Sequence, residues 1–585
     1  MPSISENMMS LWRNYHLTEQ GRYVPVVQTD PDYARVLSQG RYPDGTVRDT
    51  ASINCSDLAG ASGPAMFAAT AAELQSYVSR VLNPPTMVVP KRKAVDFVPI
   101  GRGWSFSALI GAIDTQIDLS GLSGFALAQG SHMAPSAAVP ANRTTFVLGG
   151  TRLRELLAWA QQHHTLSIMT SGTHLGLTVA GAIATSSHGS RLGFGGMQNL
   201  VTGLHLVTGP KQSVWIERAS RPVLSDATIA SFTTQPPIRD DAVFADALVH
   251  LGGMGIVNGV TLEMVYDAGY ELSIKRHMID AAWLGDVAAG EWRAIAGALG
   301  HQSEPVFYEL TIDPHAWDSN RAVHMLYLPG DTDSFVPGLK ASPRSFGDLS
   351  GAVISSLISA KADLDSVGDT ESSIPAAFDL YCEVLENTPS YTNPPHNARW
   401  NQLHHDEITG GYPGALYNAS FAVRREQVGA IIPLICAAVQ DLLPTFLFTM
   451  RFVSNPDGTL AFTRFAETCV IEIDGFSRNA PGFPPQLGEA IAAGAARIRQ
   501  CLDGDNAAGQ RFDYSMHWGK LGSLDRAKVW ADFGAPGTPG SLIDRWRATR
   551  ARLLDPDFAR VLWNKALIDY GLLDSPLAPA PGGRA

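Results

Sequence analysis

Residues 169–199 are the part of the chain that most constrains its fold. They consist mainly of glycine, alanine, serine and threonine, with little bulk and almost no charge. Apolar residues recur through them at Leu175, Leu177, Val179 and Ile183, a pattern that a flexible linker does not have. Glycines let a backbone approach another group closely, and successive small residues with free N–H groups form concave anion sites. The stretch is therefore either a cradle for a large, flat, phosphate-bearing cofactor or a glycine-rich loop in a structural β region.

Length and composition set broad limits on the class of protein. A chain of 585 residues is too long for one ordinary core, so we expect at least two domains. A formal net charge of −12 argues against a nucleic-acid surface. The sequence contains no run of about 18 apolar residues, so we expect no membrane span.

The cysteines and the first residues bear on location and metal binding. The five cysteines are scattered and none forms a C-x-x-C pair, and the start of the chain lacks a secretory signal, so we expect a cytoplasmic protein. His404 and His405 are adjacent, but no third ligand is spaced to join them, so we expect no metal site.

The order of patterns predicts an α+β chain in five parts. Thr70 and Glu73 form a capping-box pattern that predicts the start of a helix, and later glycine-rich turns separate further helices and strands. From about residue 270 aromatic residues increase, strand-like runs alternate with amphipathic helices, and we expect a sheet with helices on one face. The expected parts are an irregular N-terminal extension (1–60), a first domain (61–270), a second domain (271–514), a C-terminal return segment (515–575) and a disordered tail (576–585).

Four sequence blocks together resemble the vanillyl-alcohol-oxidase-type flavoproteins, whose FAD-binding domain is of the PCMH type. The blocks are Gly101–Phe106, Ser171–Gly189, Leu251–Val257 and His517–Lys520. Within that family the chain is most similar to the sugar-lactone and alditol oxidase branch. The combination is specific, although any one block alone is not, and residues 271–439 are only loosely similar.

The resemblance implies a two-part FAD-binding domain and a substrate domain with a large antiparallel sheet over the flavin. It also implies which residues hold the cofactor. These are Gly101, Arg102, Gly103, Trp104, Ser105, Ser171, Gly172, Thr173, Gly176, Thr178, Gly181, Ala182, Thr185, Ser187, His188, Gly189, Gly255, Ile256 and Lys520.

Two positions in the first and second blocks bear on the flavin chemistry. Where many relatives have a histidine that bonds covalently to the flavin, this chain has Trp104. An indole cannot form that bond, so we expect non-covalent FAD. Gly172 falls where relatives place a small gating residue, and a glycine there would leave room for dioxygen, which favours an oxidase.

The substrate side departs further from the family pattern. Relatives carry Glu-x-Arg on a strand facing the flavin, whereas this chain has Thr449 and Arg451. Glu472, flanked by isoleucines on a later strand, is expected to replace the missing acid and to pair with Arg451; the alternative is an outward-facing glutamate. Arg451 is expected to hold the substrate oxygen, and Glu472 to act as the base or as an orienting group. Lys520 is the candidate for a cation beside the flavin or for proton relay, and His517 is expected either to position Lys520 or to be structural.

These features predict an FAD-dependent oxidoreductase that removes hydride from a CH–OH group. A small-molecule alcohol would be the substrate, either a polyol, a sugar lactone or a larger secondary alcohol, and dioxygen or another acceptor would take the electrons. One alternative is an oxidase of sterol-type alcohols, and another is an FAD-binding protein without redox turnover. Tyr381, Tyr391, Tyr412 and Tyr417 could line a polar or an apolar pocket.

Overall fold

The computed structural model describes most of the chain. It covers the backbone of residues 3–8, 11–13 and 20–22, and residues 49–83, 96–111, 115–172, 174–318, 322–330, 398–404, 416–478 and 485–574. Several expectations lie outside these residues: the strand-like run 378–384, the tail 576–585, Thr173, Tyr381, Tyr391, Tyr412 and His405.

Helices and strands alternate along the described chain. The α-helices are Gly63–Leu82, Leu153–His164, Val179–Ala184, Asp226–Ala230, Asp241–Leu248, Ala281–Ala289, Trp292–Ala298, Val428–Val439, Pro485–Leu502, Arg526–Phe533, Leu542–Leu553, Pro556–Val561 and Lys565–Asp569. The strands are Ser3–Met8, Leu11–Arg13, Gln20–Arg22, Asp49–Asn54, Val98–Ile100, Thr115–Asp118, Phe125–Leu127, Thr144–Leu148, Leu166–Ser167, Val201–Gly209, Gln212–Glu217, Ile238–Arg239, Ile256–Glu263, Val265–Tyr266, Tyr270–Arg276, Phe307–Ile312, Ala322–Pro329, Leu416–Arg424, Phe446–Ser454, Glu467–Phe476 and Tyr514–Met516.

The first long helix begins earlier than the capping-box pattern predicts. It starts at Gly63, with Ser62 as the preceding cap residue and Pro64 in its first turn. Thr70 lies inside the helix, where its hydroxyl donates to the carbonyl of Met66 at 2.8 Å. The expectation of a start at Thr70 is wrong, because a threonine within a helix can bond back to its own preceding turn and needs no cap role.

A four-stranded sheet includes part of the N-terminal segment. Its strands lie in the order Ser3–Met8, Asp49–Asn54, Thr115–Asp118 and Val98–Ile100. The first pair is antiparallel, whereas the other two pairs are parallel. The interpretation of residues 1–60 as irregular is therefore wrong at these two strands, although the domain boundaries stay predictions.

A six-stranded sheet follows, centred on Val201–Gly209 and its antiparallel partner Ile256–Glu263. All nine residues of Val201–Gly209 are buried. Side chains on one face of this sheet pack against the helix Gly63–Leu82, and those on the other face join a core that also holds Leu153–His164. Burial on both faces agrees with a strand sequence that contains no Asp, Glu, Lys or Arg.

The largest sheet has seven antiparallel strands, which confirms the α+β class and the large antiparallel sheet expected after residue 270. Their order is Tyr270–Arg276, Ala322–Pro329, Phe307–Ile312, Phe446–Ser454, Glu467–Phe476, Leu416–Arg424 and Tyr514–Met516.

The two faces of this sheet have different partners. Phe446, Phe448 and Met450 belong to a core shared with the helices Val428–Val439 and Pro485–Leu502. Because side chains alternate along a strand, the residues between them point the other way. Apolar members of that second face join the core of the first part of the chain: Phe307, Tyr327, Val453 and Val470. We call it the inner face.

Candidate active site

Residues in the second half of the small-residue stretch connect it to the largest sheet. The hydroxyl of Ser190 donates to the carbonyl of Tyr308, and it accepts the N–H of Phe452 at 2.9 Å. Leu192 N–H donates to the carbonyl of Val306 at 3.0 Å. The end of the small-residue stretch therefore lies directly against two central strands of the sheet.

A buried ionic network occupies the inner face next to this contact. Arg451 Nη1 lies 3.0 Å from Glu472 Oε2, and Arg451 Nε lies 2.8 Å from Glu309 Oε2. Lys520 Nζ lies 2.5 Å from Glu472 Oε1, which also accepts the hydroxyl of Ser420 at 3.3 Å. The four charged groups, two of each sign, form a continuous chain from the sheet to the C-terminal block.

Strand register explains why these groups meet. Thr449 is paired with Glu472 on one neighbouring strand, and Arg451 is paired with Glu309 on the other. Glu472 is only 1% exposed, so the alternative of an outward-facing glutamate is wrong and the expected pair with Arg451 is present. The position that carries glutamate in relatives holds Thr449, whose hydroxyl lies 3.3 Å from that of Thr311.

Glu309 and Ser420 are members of the network that sequence reasoning missed. Glu309 is 1% exposed and lies in Phe307–Ile312, where every residue is buried. A charged residue in an otherwise uncharged buried strand was the available signal. Ser420 had no comparable signal, since serine is common at many kinds of position.

The two cations that contact Glu472 affect its protonation. Burial alone would raise the pKa of its carboxyl group, but the neighbouring Arg451 and Lys520 outweigh burial and hold the pKa well below its ordinary value. Glu472 is thus a carboxylate at neutral pH. A buried ion pair of this kind is weak evidence for stability by itself, because desolvation offsets much of the attraction.

Two histidines border the network. His188 Nε2 lies 3.9 Å from Glu472 Oε1, and the rings of His188 and His517 both pack against Phe462. Burial lowers the pKa of His188 to about 4 and lowers that of His517 well below its ordinary value. Both rings are therefore neutral at pH 7. The backbone N–H of Lys520 donates to the backbone carbonyl of His517 at 3.4 Å, so the two residues lie in one turn.

The first and second sequence blocks lie side by side. A Cβ added to Gly101 would overlap the hydroxyl oxygen of Thr178, and one added to Gly189 would overlap the carbonyl of Ser171. The glycines are thus required by close backbone approach. Trp104 packs against His174, with ring centroids 4.0 Å apart.

The third and fourth blocks join the same assembly. Phe106 N–H donates to the carbonyl of Gly519 at 2.7 Å, and the hydroxyl of Ser107 donates to the backbone carbonyl of Trp518 at 2.8 Å. Leu251 N–H donates to the carbonyl of Ala184 at 3.2 Å. The four blocks that carry the sequence resemblance therefore converge in space.

The predicted cofactor-binding residues differ in exposure. Those that are buried are Ser171, Gly172, Gly176, Thr178, Ala182, His188, Gly189, Gly255 and Ile256; those that are half-buried are Gly101, Gly103, Trp104, Ser105, Thr185, Ser187 and Lys520; and those that are exposed are Arg102 and Gly181. The side chain of Ile256 packs in the core beside the helix Gly63–Leu82, so only its backbone is placed to face a ligand.

The surroundings of Gly172 fit a bulky group held against the backbone. Gly172 is buried, yet a Cβ built on it would meet only the carbonyl oxygen of His188, at 3.5 Å, among described atoms within 4 Å. Nearby, the hydroxyl of Thr170 is buried and has no hydrogen-bond partner within the described part of the chain. Trp400 lies next to this part of the stretch, and its indole N–H donates to Ser171 Oγ at 2.9 Å.

Two further features of the described residues bear on membrane and metal binding. None of the helices described is both long and apolar enough to cross a membrane. Within the same residues no three His, Cys, Asp or Glu side chains are grouped so as to hold a metal ion. His404 is buried, stacks on Trp400 and donates to its carbonyl at 2.8 Å, which is a structural role.

Comparison with known proteins identifies the fold. No family model matches the sequence. Among solved structures, cholesterol oxidase from Brevibacterium sterolicum is similar over 97% of both chains, with a TM-score of 0.61 and 12% identity. A solvent-stable cholesterol oxidase is similar over 98% of both chains (TM-score 0.57, 13% identity), and a chitooligosaccharide oxidase over 88% of this chain and 90% of its own (TM-score 0.50, 13% identity).

This chain has the fold of these oxidases. The fold that the sequence resemblance implies is thereby confirmed for the part of the chain that the structure describes. At such low identity the likeness is one of fold, and the chemistry must be argued from the residues themselves.

Proposed function

We propose that the chain is an FAD-dependent oxidase that removes hydride from a CH–OH group of a polyol, a sugar lactone or a larger secondary alcohol. The main observation in support of this proposal is the ionic network of Glu309, Arg451, Glu472 and Lys520. It is buried where the small-residue stretch meets the inner face of the sheet. Two cations and two carboxylates in one buried site suit a reaction that moves charge.

The small-residue stretch and the first block would hold the cofactor. The close approach of Gly101 to Thr178 and the open space beside Gly172 support this role. FAD, when bound, supplies the acceptor of the hydride. Trp104 packs against His174 and offers no group for a covalent bond to the flavin, so we propose non-covalent FAD. The space beside Gly172 supports dioxygen as the electron acceptor.

Each charged side chain has a proposed task. Arg451 would hold the substrate oxygen, because its guanidinium is fixed by carboxylates on both neighbouring strands. Lys520, with a side chain 19% exposed, would bring positive charge to the edge of the network, where negative charge develops in the transition state. Glu472 would orient both cations, and His517 would position Lys520.

A sterol-type alcohol is the second candidate substrate. Two cholesterol oxidases share the fold over 97% and 98% of this chain, whereas the chitooligosaccharide oxidase matches 88% of it with a lower TM-score. A flavoprotein without redox turnover is a further alternative, which the lost tethering histidine and the lost glutamate at position 449 favour.

The first experiment is the visible spectrum of the purified protein before and after acid precipitation. Flavin bands that move to the supernatant support bound, untethered FAD. Bands that stay with the pellet would contradict the role given to Trp104, and a colourless protein that takes up no added FAD would refute the proposed function.

Anaerobic titration then identifies the substrate class. Polyols, sugar lactones and sterols are added in turn, and loss of the flavin absorbance reports reduction. Bleaching by polyols or lactones supports the main proposal, and bleaching by sterols alone supports the second candidate. A flavoprotein that none of them reduces is the outcome expected of the alternative without redox turnover.

A further inference from the structure

The hydrogen bonds of the two histidines at the network require opposite tautomers. His188 Nδ1 lies 3.0 Å from the carbonyl oxygen of Gly189. A carbonyl oxygen can only accept, so Nδ1 of His188 carries the ring proton. His517 Nδ1 instead accepts the N–H of Gly519 at 2.9 Å, so the proton of that ring is on Nε2.

The free nitrogen of His188 therefore faces the ionic network as a lone pair. Its Nε2 lies 3.9 Å from Glu472 Oε1, which is beyond hydrogen-bond distance, as expected for two acceptors. The His188 side chain is 3% exposed, so bulk water does not compete for this nitrogen. A buried lone pair next to a carboxylate is well placed to take up a proton, since the carboxylate stabilises the cation formed.

We propose that His188 Nε2 accepts the hydroxyl proton of the alcohol, and that Glu472 stabilises the resulting imidazolium. The proposal rests on the proposed function, because it assigns the proton acceptor of that reaction. The O–H bond breaks and its proton goes to the lone pair of Nε2. The C–H bond breaks with its electron pair passing as hydride to the flavin, which is reduced as the alcohol is oxidised to a carbonyl compound.

Glu472 is less suited to be the acceptor itself. Both of its oxygens are engaged by cations, at 3.0 Å from Arg451 and 2.5 Å from Lys520. Protonation of Glu472 would leave the buried Arg451 and the half-buried Lys520 without their carboxylate, which is costly. A proton on His188 adds a positive charge that Glu472 favours and that Lys520 and Arg451 oppose. His517, another titratable group nearby, is neutral and carries its ring proton on Nε2.

The variant His188→Asn separates the two functions of the ring. The asparagine amide nitrogen can replace Nδ1 as the donor to Gly189, but nothing replaces Nε2. We expect the anaerobic rate of flavin reduction by the alcohol, measured on the FAD-loaded variant, to fall by about 10²- to 10⁴-fold, the usual range for a lost general base. FAD affinity is measured alongside, because His188 is also among the proposed cofactor-binding residues. Added imidazole should restore part of the rate. His163→Asn, at an exposed helical site, is the matched control and should leave both quantities unchanged.

A second measurement does not depend on turnover. Nitrogen NMR of protein labelled with ¹⁵N-histidine distinguishes a protonated ring nitrogen from a lone pair, and the signals lost in His188→Asn identify that ring. A neutral ring protonated on Nδ1 at pH 7 supports the proposal. A proton on Nε2, or a variant whose flavin is reduced within tenfold of the wild-type rate, overturns it. If no alcohol reduces the wild-type flavin, the proposed function fails as well, and the NMR result still reports the tautomer.

Discussion

Replacement of His188 should change how the stability of the protein depends on pH. Burial lowers the pKa of His188 to about 4, against about 6.5 in the unfolded chain. Between these values the unfolded state binds a proton that the folded state does not. Above about pH 6.5 the ring is neutral in both states, so His188 does not lower the free energy of unfolding. As pH falls below that value the free energy of unfolding decreases, and the loss due to His188 reaches about 3 kcal/mol at pH 4.

The expected difference is one of slope. Between pH 6 and pH 5 the unfolded ring is mostly protonated and the folded ring is mostly neutral, so His188 contributes about 1 kcal/mol per pH unit. The free energy of unfolding of His188→Asn should fall less steeply with acid by that amount. The lost ring volume moves the whole curve of the variant but not its slope.

The assay is urea unfolding followed by tryptophan fluorescence at half-unit steps from pH 7 to pH 5. His163→Asn, in an exposed position, is the control and should keep the wild-type slope. Equal slopes for the wild type and His188→Asn would refute the reasoning. They would mean that His188 is charged in the folded protein or that it is not enclosed as described.

Three further changes test the cradle and the core. Gly101→Ala places a Cβ against the hydroxyl of Thr178, so FAD affinity measured by fluorescence should fall about tenfold or more. Gly285→Ala, with no described atom within 4 Å of its new Cβ, is the control and should leave FAD affinity unchanged; equal affinities for the wild type and Gly101→Ala would contradict the close approach. Arg451→Met leaves two buried carboxylates without their guanidinium and should destabilise the protein by about 3–5 kcal/mol in denaturant unfolding; an unchanged midpoint would contradict a buried network. Arg550→Gln removes a guanidinium that donates to three backbone carbonyls, and urea unfolding should show a loss of about 3 kcal/mol, whereas a neutral result would mean that water replaces those bonds.

Several parts of the fold were predictable from local sequence. Strand alternation placed Glu472 on the same face as Val470, and the structure confirms that this face is the inner one. The helix with Leu153, Leu156 and Leu157 on its buried side was also predictable, because its apolar residues recur at helical spacing.

Other predictions were wrong because a local sequence pattern is compatible with more than one structure. The Thr70 pattern fits a helix start and a helix interior equally well, and the upstream Pro64 marks the real first turn. The polar strand Ser3–Met8 gave no apolar alternation, because its pairing with Asp49–Asn54 is a property of the sheet and not of either segment alone.

The sequence by itself determined several helices and strands, the small-residue stretch and the face that Glu472 shares with Val470, because these follow from periods of two or 3.6 residues and from residue size. Only the tertiary structure decided which charges meet. Glu309 and Arg451 are far apart in sequence and become neighbours through strand register. The tautomer of His188 likewise depends on a backbone carbonyl and a buried carboxylate that folding brings to it, since a lone sequence position carries no information about its hydrogen-bond partners.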